Sequence, residues 1–331
     1  MNSASDYKKS NLGQPSLLIY IPSFNRFELL LKKIKVLSPQ VDGVRTRLVI
    51  SDNCSTDNRY LELNDFVDSS KVDTIRRNSN KGIAGNILHA FDEKFGDFVW
   101  ILSDDDDVFP DSVEKITDSL DYDCDLIYLR SNIKGEKNIK SIDSVTTKKE
   151  FFTLFSGLSM TGLISSNVYN KSKINESTHI GYLFCSNLFP HTAMFLNQIS
   201  DQNSILIKII DDVVKWHFGE ITYSSSYFRA WVSYLDLVEI VEEKYRYKFI
   251  KKFLFDWAYT HYIPVCYNSN NLLKYIYYSL KYPKSFIWFS YFLLTYPLYW
   301  IMRKLKIFTA GILKTILKKN QYDILKDWMK Q

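Results

Sequence analysis

Phe98-Val99-Trp100-Ile101-Leu102-Ser103-Asp104-Asp105-Asp106-Asp107 decides how this chain is read. The unbroken apolar run suits a strand covered on both faces. The adjacent carboxylates that end it repel one another unless cations or solvent screen them. Mg2+ and Mn2+ take hard oxygen ligands and are commonly held by one or two carboxylates together with substrate phosphates. The stretch therefore points to a cation site at a strand end. The competing reading is a solvated acidic turn before a helix, with Asp111 as N-cap and Glu114 closing a capping box.

Upstream, short apolar runs alternate with helix-period segments. Strands are predicted at Leu17–Ile21, Leu48–Ile50, Val72–Ile75 and Leu126–Leu129. Helices are predicted at Phe27–Val36, Leu61–Phe66, Gly82–Phe91 and Val113–Leu120. Repeated strand–helix units of this length imply an α/β protein with a doubly wound, mostly parallel sheet. Ligands of such sheets sit beyond the carboxyl ends of the strands, where the strand order reverses.

Three further polar clusters fall at that edge. Pro22-Ser23-Phe24-Asn25-Arg26 follows the first strand; Asn25 and Glu28 have capping-box spacing, whereas Arg26 at a helix start opposes the macrodipole unless an anion is near. Ser51-Asp52-Asn53-Cys54-Ser55-Thr56-Asp57 follows the second strand and offers acceptors for a nucleobase and ribose, or simply a turn and a cap. Asn78 to Asn86 opens a helix with Lys81, Gly82 and Gly85, where N–H groups and a cation favour a phosphate or a polar base. This is neither a dinucleotide fingerprint nor a P-loop.

The remainder is organised by composition. With 46% hydrophobic and 24% charged residues the chain is globular, and 16% aromatic residues are available for sugar stacking, a core or a membrane interface. The 4 Cys have no paired spacing, which fits a reducing compartment and neither a zinc ribbon nor a disulfide framework. The sequence begins without the apolar stretch of a signal peptide, so a cytoplasmic location is expected. Residues 303–331 carry eight basic and two acidic side chains, leaving 34 basic against 35 acidic elsewhere. The positive excess is confined to the tail, which argues against nucleic acid as partner and for an anionic surface at the C-terminus. Residues 286–302 form a 17-residue stretch without charge, eight of them aromatic. That is short for a bilayer span and suits an interfacial helix followed by a basic amphipathic segment. The expected organisation is a loose leader at 1–14, an α/β domain at 15–235 (nucleotide-binding part 15–130, acceptor-side part 131–235), and a helical, membrane-associating extension at 236–331.

Ile21-Pro22-Ser23-Phe24-Asn25-Arg26, Ser51-Asp52-Asn53-Cys54-Ser55-Thr56-Asp57, Asn80-Lys81-Gly82 with Asn86, and the aspartate run after Trp100-Ile101-Leu102-Ser103 together resemble the family 2 glycosyltransferases of GT-A fold. Within that family the chain is most similar to bacterial polysaccharide enzymes of the abequosyltransferase-like kind. The resemblance covers roughly residues 15–130 and continues more loosely to about 235. It implies that Pro22, Ser23, Phe24, Arg26, Asp52, Asn53, Asn80, Lys81, Gly82, Asn86, Ser103 and Asp104 line the nucleotide-sugar site. Asp105 and Asp106 would bind the divalent cation, Mn2+ or Mg2+. The usual motif begins with Asp where this chain has Ser103, so a register of Asp104–Asp106 is the alternative. The family places a base well downstream of the acidic motif, and His191 in Asn187-Leu188-Phe189-Pro190-His191 is the first choice, either as base or as a third metal ligand. Asp211 and Asp212 are the substitutes. The activity implied is transfer of a sugar, with inversion, from a nucleotide-sugar to a glycan on polyprenyl diphosphate. The resemblance implies a place for that activity in bacterial O-antigen or capsule synthesis at the cytoplasmic face of the inner membrane. A nucleotidyltransferase, which should carry a Gly-rich loop after the first strand, and a membrane-docked scaffold with a degenerate site are the alternatives.

Overall fold

Eight strands share one sheet in the order β3-β2-β1-β4-β8-β6-β9-β7. The computed structural model describes residues 13–130, 144–155, 161–215, 233–234 and 236–254, all within one compact unit, Met1–Asn271. Residues 1–12 of the expected leader, the apolar stretch 286–302 and the basic tail lie outside the described residues.

The strands are β1 (Leu17–Ser23), β2 (Thr46–Asp52), β3 (Val72–Arg76), β4 (Phe98–Ile101), β6 (Leu126–Arg130), β7 (Ser144–Thr147), β8 (Asn167–Asn170) and β9 (Ser204–Asp211). A separate ribbon joins β5 (Asp107–Val108) to β10 (Val214–Lys215). β1 runs parallel to both β2 and β4, and β6 parallel to β9. β8 lies antiparallel between β4 and β6, and β7 antiparallel on β9. Hence β1, β2, β3, β4, β6 and β9 all end at the same edge, and the order reverses between β1 and β4.

The helices are α1 (Phe27–Leu37), α2 (Gly82–Asp92), α3 (Ser112–Ser119), α4 (Lys148–Leu154), α5 (Lys171–Ile174), α6 (Thr178–Leu183), α7 (Pro190–Gln198) and α8 (Glu243–Leu254). The segment expected as a helix at Leu61–Phe66 is a 3-10 turn, Asn58–Phe66, entered through the Asp57 carboxylate, which accepts the Arg59 backbone N–H. Alternation along the strands sorts the side chains. Leu17, Ile19 and Ile21 of β1 pack with Phe27, Leu30, Ile34 and Leu37 of α1 and with Val113 and Ile116 of α3. On the other face, Tyr20 reaches Asn86 of α2, and Tyr169 of β8 meets Phe91 of α2 and Phe195 of α7. Both faces are covered, which is why the central strands read as continuous apolar runs.

Residues 236–254, the start of the stretch expected to form the extension, pack on this unit; the rest of that stretch lies outside the described residues. Tyr245 of α8 stacks on Phe152 of α4 at 5.1 Å, and Lys148 pairs with Glu242.

β1 and β4 start beside one another through a polar clasp. The Asp97 carboxylate accepts from the Ser16 backbone N–H at 2.9 Å and its hydroxyl at 2.8 Å. Gly96, with φ +88°, makes the preceding turn, and a Cβ there would stand 2.7 Å from the Leu18 backbone nitrogen. Neither the torsion nor the clearance admits a side chain. Gly96→Ala should therefore lower unfolding free energy by about 1–3 kcal/mol. Urea unfolding would measure this, with Gly13→Ala, whose Cβ would meet nothing within 4 Å, as the unchanged control.

Candidate active site

The reversal between β1 and β4 brings the ends of those strands together, and the sequence delivers opposite charges to it. Asp104 is turned inward, its side chain 5% exposed. Its Oδ2 accepts from the Ser23 hydroxyl at 2.8 Å and its Oδ1 from Arg26 Nη1 at 2.9 Å. Burial pushes the Asp104 carboxyl above its ordinary range, against the pull of Arg26 and Ser23. The same Arg26 nitrogen reaches Asp105 Oδ2 at 3.0 Å, and the Ser103 hydroxyl donates to Asp105 Oδ1. Asp105 is 39% exposed. Asp106 is half-buried and Asp107 is exposed.

A second cation lies beneath the loop. Lys33 of α1 is buried, 4.0 Å from Asp107. Burial lowers its pKa, while Asp107 and the other aspartates of the run raise it. It falls in the stripe of Phe27, Leu30, Ile34 and Leu37, so helical spacing alone marks it as an inward lysine; the sequence reading passed over it. Tyr60 was also missed. Its hydroxyl is 2.8 Å from that of Ser23 and accepts the Arg26 backbone N–H at 3.0 Å. No sequence signal links these residues, since they meet only through the 3-10 turn.

Both expected capping boxes are absent. Asn25 takes a left-handed conformation, φ 55°, and uses its Oδ1 to accept the Thr56 backbone N–H at 2.8 Å. Glu28 pairs with Arg59 instead. Thus Asn25 fastens the loop after β1 to the loop after β2, and α1 starts at Arg26 without a side-chain cap. Asp111 stands at the N-cap of α3 but makes no capping bond; it pairs with Lys115 at 2.9 Å. The Val113 N–H is taken by the Gln40 side chain at 3.1 Å.

At the end of β2 the acidic and amide groups are already bonded. Asp52 is buried, accepting from Arg76 at 2.8 Å and from the Ser55 N–H at 2.8 Å. The Asn53 side chain donates to Asn80 and to the Gly82 carbonyl and accepts the Lys81 N–H at 2.9 Å. It thereby ties down the turn that opens α2. Asn80, Lys81 and Gly82 are exposed there, while Pro22 and Phe24 are half-buried. Asn86 is buried and bonds Ser51 and Tyr20. Arg77 completes this network by donating to the Ser51 and Tyr20 hydroxyls at 3.0 and 2.9 Å. The Ser103 N–H is held by Ser165 Oγ at 2.9 Å.

His191 occupies the first turn of α7, at the end remote from Ile199–Asp201 and the start of β9, hence toward the site edge. It is fully buried between Tyr169 and Phe189, each 6.2 Å away between ring centres. Neither ring nitrogen has a hydrogen bond of normal geometry among the described residues. Burial lowers its pKa to about 4, opposed weakly by the Gly162 backbone. Asp211 ends β9, three strands from β4 and so roughly 14 Å across the sheet at about 4.8 Å per strand; its carboxylate is paired with Arg130. Asp212 is exposed, with φ 55°. The structure thus brings Ser23, Arg26, Ser103, Asp104 and Asp105 into one contact set that includes neither Asp211, paired with Arg130, nor Asp212, whose backbone carbonyl accepts from Lys115 at 3.2 Å.

A family model described as Glycosyl transferase family 2 matches residues 18–185, from β1 through α6. The chain is 26% identical over 249 residues to the GalNAc(5)-diNAcBac-PP-undecaprenol beta-1,3-glucosyltransferase of Campylobacter jejuni, an alignment covering 70% of this chain and 76% of that protein. The fold is similar to that of mannosyltransferase PcManGT from Pyrobaculum calidifontis, solved with GDP-Man and Mn2+, at a TM-score of 0.54 and 12% identity, covering 91% of this chain and 87% of the other. It is also similar to S. aureus TarS 1-349 in complex with UDP-GlcNAc, at a TM-score of 0.53 and 12% identity, covering 79% of each chain. The shared architecture, and a matched segment that contains every strand-end cluster from Pro22 to Asp106, show that this chain belongs to glycosyl transferase family 2 and has the GT-A fold.

Proposed function

We propose that this glycosyltransferase moves a sugar from a nucleotide-sugar to a glycan carried on polyprenyl diphosphate. The product would belong to a bacterial surface polysaccharide, O-antigen or capsule, made at the cytoplasmic face of the inner membrane. The observation that carries this reading is the meeting of Arg26, Asp104 and Asp105 where the strand order reverses, the place where such sheets bind ligands. Support for the acceptor comes from the Campylobacter relative, whose name specifies an undecaprenol-linked glycan. No helix among the described residues is long and apolar enough to cross a membrane, and membrane contact is assigned to the aromatic and basic segments from residue 286 onward.

The donor set suits a divalent cation. Asp105 presents partly exposed, hard oxygen ligands, with Asp106 beside it. Such cations complete their shell with substrate phosphates. When bound, the cation would offset charge on the departing diphosphate. Asp104, with both oxygens engaged, keeps Arg26 in place. Asn80, Lys81 and Gly82, exposed where α2 opens, would with Pro22 and Phe24 receive the nucleotide. We assign proton removal from the acceptor hydroxyl, in an inverting transfer, to His191. Its ring is fully buried and its pKa is lowered by that burial, whereas Asp211 is held by Arg130. Entry of a polar acceptor would relieve the desolvation that depresses its basicity.

A thermal-shift screen of nucleotide-sugars with Mn2+ tests the donor reading. The true donor should raise Tm by mass action, and failure of every UDP, GDP and TDP sugar would reject it. Asp105→Asn should lower kcat/KM by about a hundredfold or more, the scale on which electrostatic groups act at transition states; near-normal turnover would remove Asp105 from the cation site. His191→Ala should depress kcat with little change in donor KM, and an unaltered kcat would pass the role to Asp211 or Asp212.

Burial of His191 also has a pH signature. The unfolded ring binds a proton below about 6.5 and the folded one only below about 4. Its contribution to stability is therefore full above pH 6.5 and lost as pH falls toward 4, on the order of 3 kcal/mol in total. Urea unfolding at pH 7 and 4.5 should show a steeper loss for the wild type than for His191→Phe.

A further inference from the structure

We propose that Arg26 is the resident counter-ion of the acidic strand end, and that a divalent cation must displace it from Asp105, so that cation and donor diphosphate bind together rather than in sequence. This rests on the nucleotide-sugar reading above and adds the order in which that site fills. One nitrogen of Arg26 serves both carboxylates, Asp104 at 2.9 Å and Asp105 at 3.0 Å. The two aspartates differ in what they can give up. Asp104 is 5% exposed, with the Ser23 hydroxyl on its other oxygen, so its pairing with Arg26 is the one that must persist. Asp105 likewise has a serine hydroxyl, that of Ser103, on its other oxygen, but it is 39% exposed, so its contact with Arg26 can be exchanged at much smaller desolvation cost.

The backbone of Arg26 is fixed. Its N–H is bound to Tyr60 Oη at 3.0 Å and its carbonyl accepts the first bond of α1, from Leu30 at 3.0 Å. Only the side chain can swing. A cation with two charges arriving at Asp105 meets a guanidinium already there, and the two repel. The incoming diphosphate resolves the conflict, because phosphate oxygens accept from guanidinium in strong charge-assisted bonds. They would do so at the start of α1, where the helix dipole opposes a cation and favours an anion. Lys33 cannot take over this role, since it is buried in α1 and 4.0 Å from Asp107. Cation and diphosphate are consequently coupled through one side chain, and by linkage each tightens the other equally.

Manganese binding by the full-length protein, followed by electron paramagnetic resonance with and without UDP, tests the coupling without measuring transfer. For the wild type, affinity for Mn2+ alone should be weak and should rise about tenfold or more with UDP, after allowance for Mn2+–UDP in solution. Arg26→Gln should bind Mn2+ alone about tenfold more tightly than the wild type, the scale of one partly exposed ionic contact, and UDP, which still ligates the cation directly, should raise that affinity by a smaller factor than in the wild type. The double variant Arg26→Gln with Asp104→Asn removes the carboxylate that would otherwise lack its buried partner, and should behave the same way. Equal wild-type affinity with and without UDP, or no gain in either variant, overturns the proposal while leaving the cation site standing. No Mn2+ binding by any form, even with UDP, overturns the cation site itself and the proposal with it.

Discussion

A carboxylate delivered to the end of a covered strand must have a cation, and in this protein it is Arg26. The ion pair with Asp104 spans 78 residues of sequence and joins the first helix start to the exit of the fourth strand. Partners of buried charges are not interchangeable with solvent: removing one leaves the other desolvated, at a cost of about 3–5 kcal/mol. The geometry around the pair follows from that constraint. Ser23 turns inward to satisfy the second oxygen of Asp104, and Tyr60 bonds both the Ser23 hydroxyl and the Arg26 amide. The 3-10 turn carrying Tyr60 is therefore part of the site's frame, although Tyr60 lies 37 residues from Ser23 in sequence.

Around this frame the protein separates groups that hold loops from groups left to meet a ligand. Asp52, Asn53, Asn86 and Asp104 are buried and bonded. They keep the loops after β1, β2 and β3 in register at one edge. Asp105, Lys81, Asn80 and Gly82 are the more accessible members. This division gives the strand ends a bonded frame that carries the more accessible residues at its surface.

Much of this was legible in the sequence, because the central strands are apolar on both sides and the strand-end clusters are short and polar. The apolar core Leu48–Ile50 marked β2, but the strand extends from Thr46 to Asp52. Its polar ends are buried through hydrogen bonds that hydropathy does not register. β8, Asn167-Val168-Tyr169-Asn170, gave no strand signal for the same reason: Asn170 sits in the sheet by donating to the Tyr122 and Cys124 carbonyls at 3.0 Å each. At the site, residue types predicted the chemistry but not the orientation. Neighbouring aspartates 104 and 105 differ entirely in exposure, because successive side chains leaving a strand point to different environments, and only Arg26 and Ser23 determine which one is inside. The Asn25 and Asp111 caps failed where another partner, the distant Thr56 or Lys115 one turn along the same helix, competed for the same side chain.

The ribbon of β5 and β10 ties the acidic loop to the chain leaving β9. Val108 pairs with Val214, Phe109 N–H meets the Val213 carbonyl, and Ser112 Oγ bonds the same carbonyl at 2.7 Å. The short run from Asp104 to Val108 is consequently anchored at both ends, by Arg26 at one and by this ribbon at the other. Such a bridge has no slack. Its length is therefore fixed by geometry, since one added residue would rotate Asp105 away from the edge or peel the ribbon from its partner.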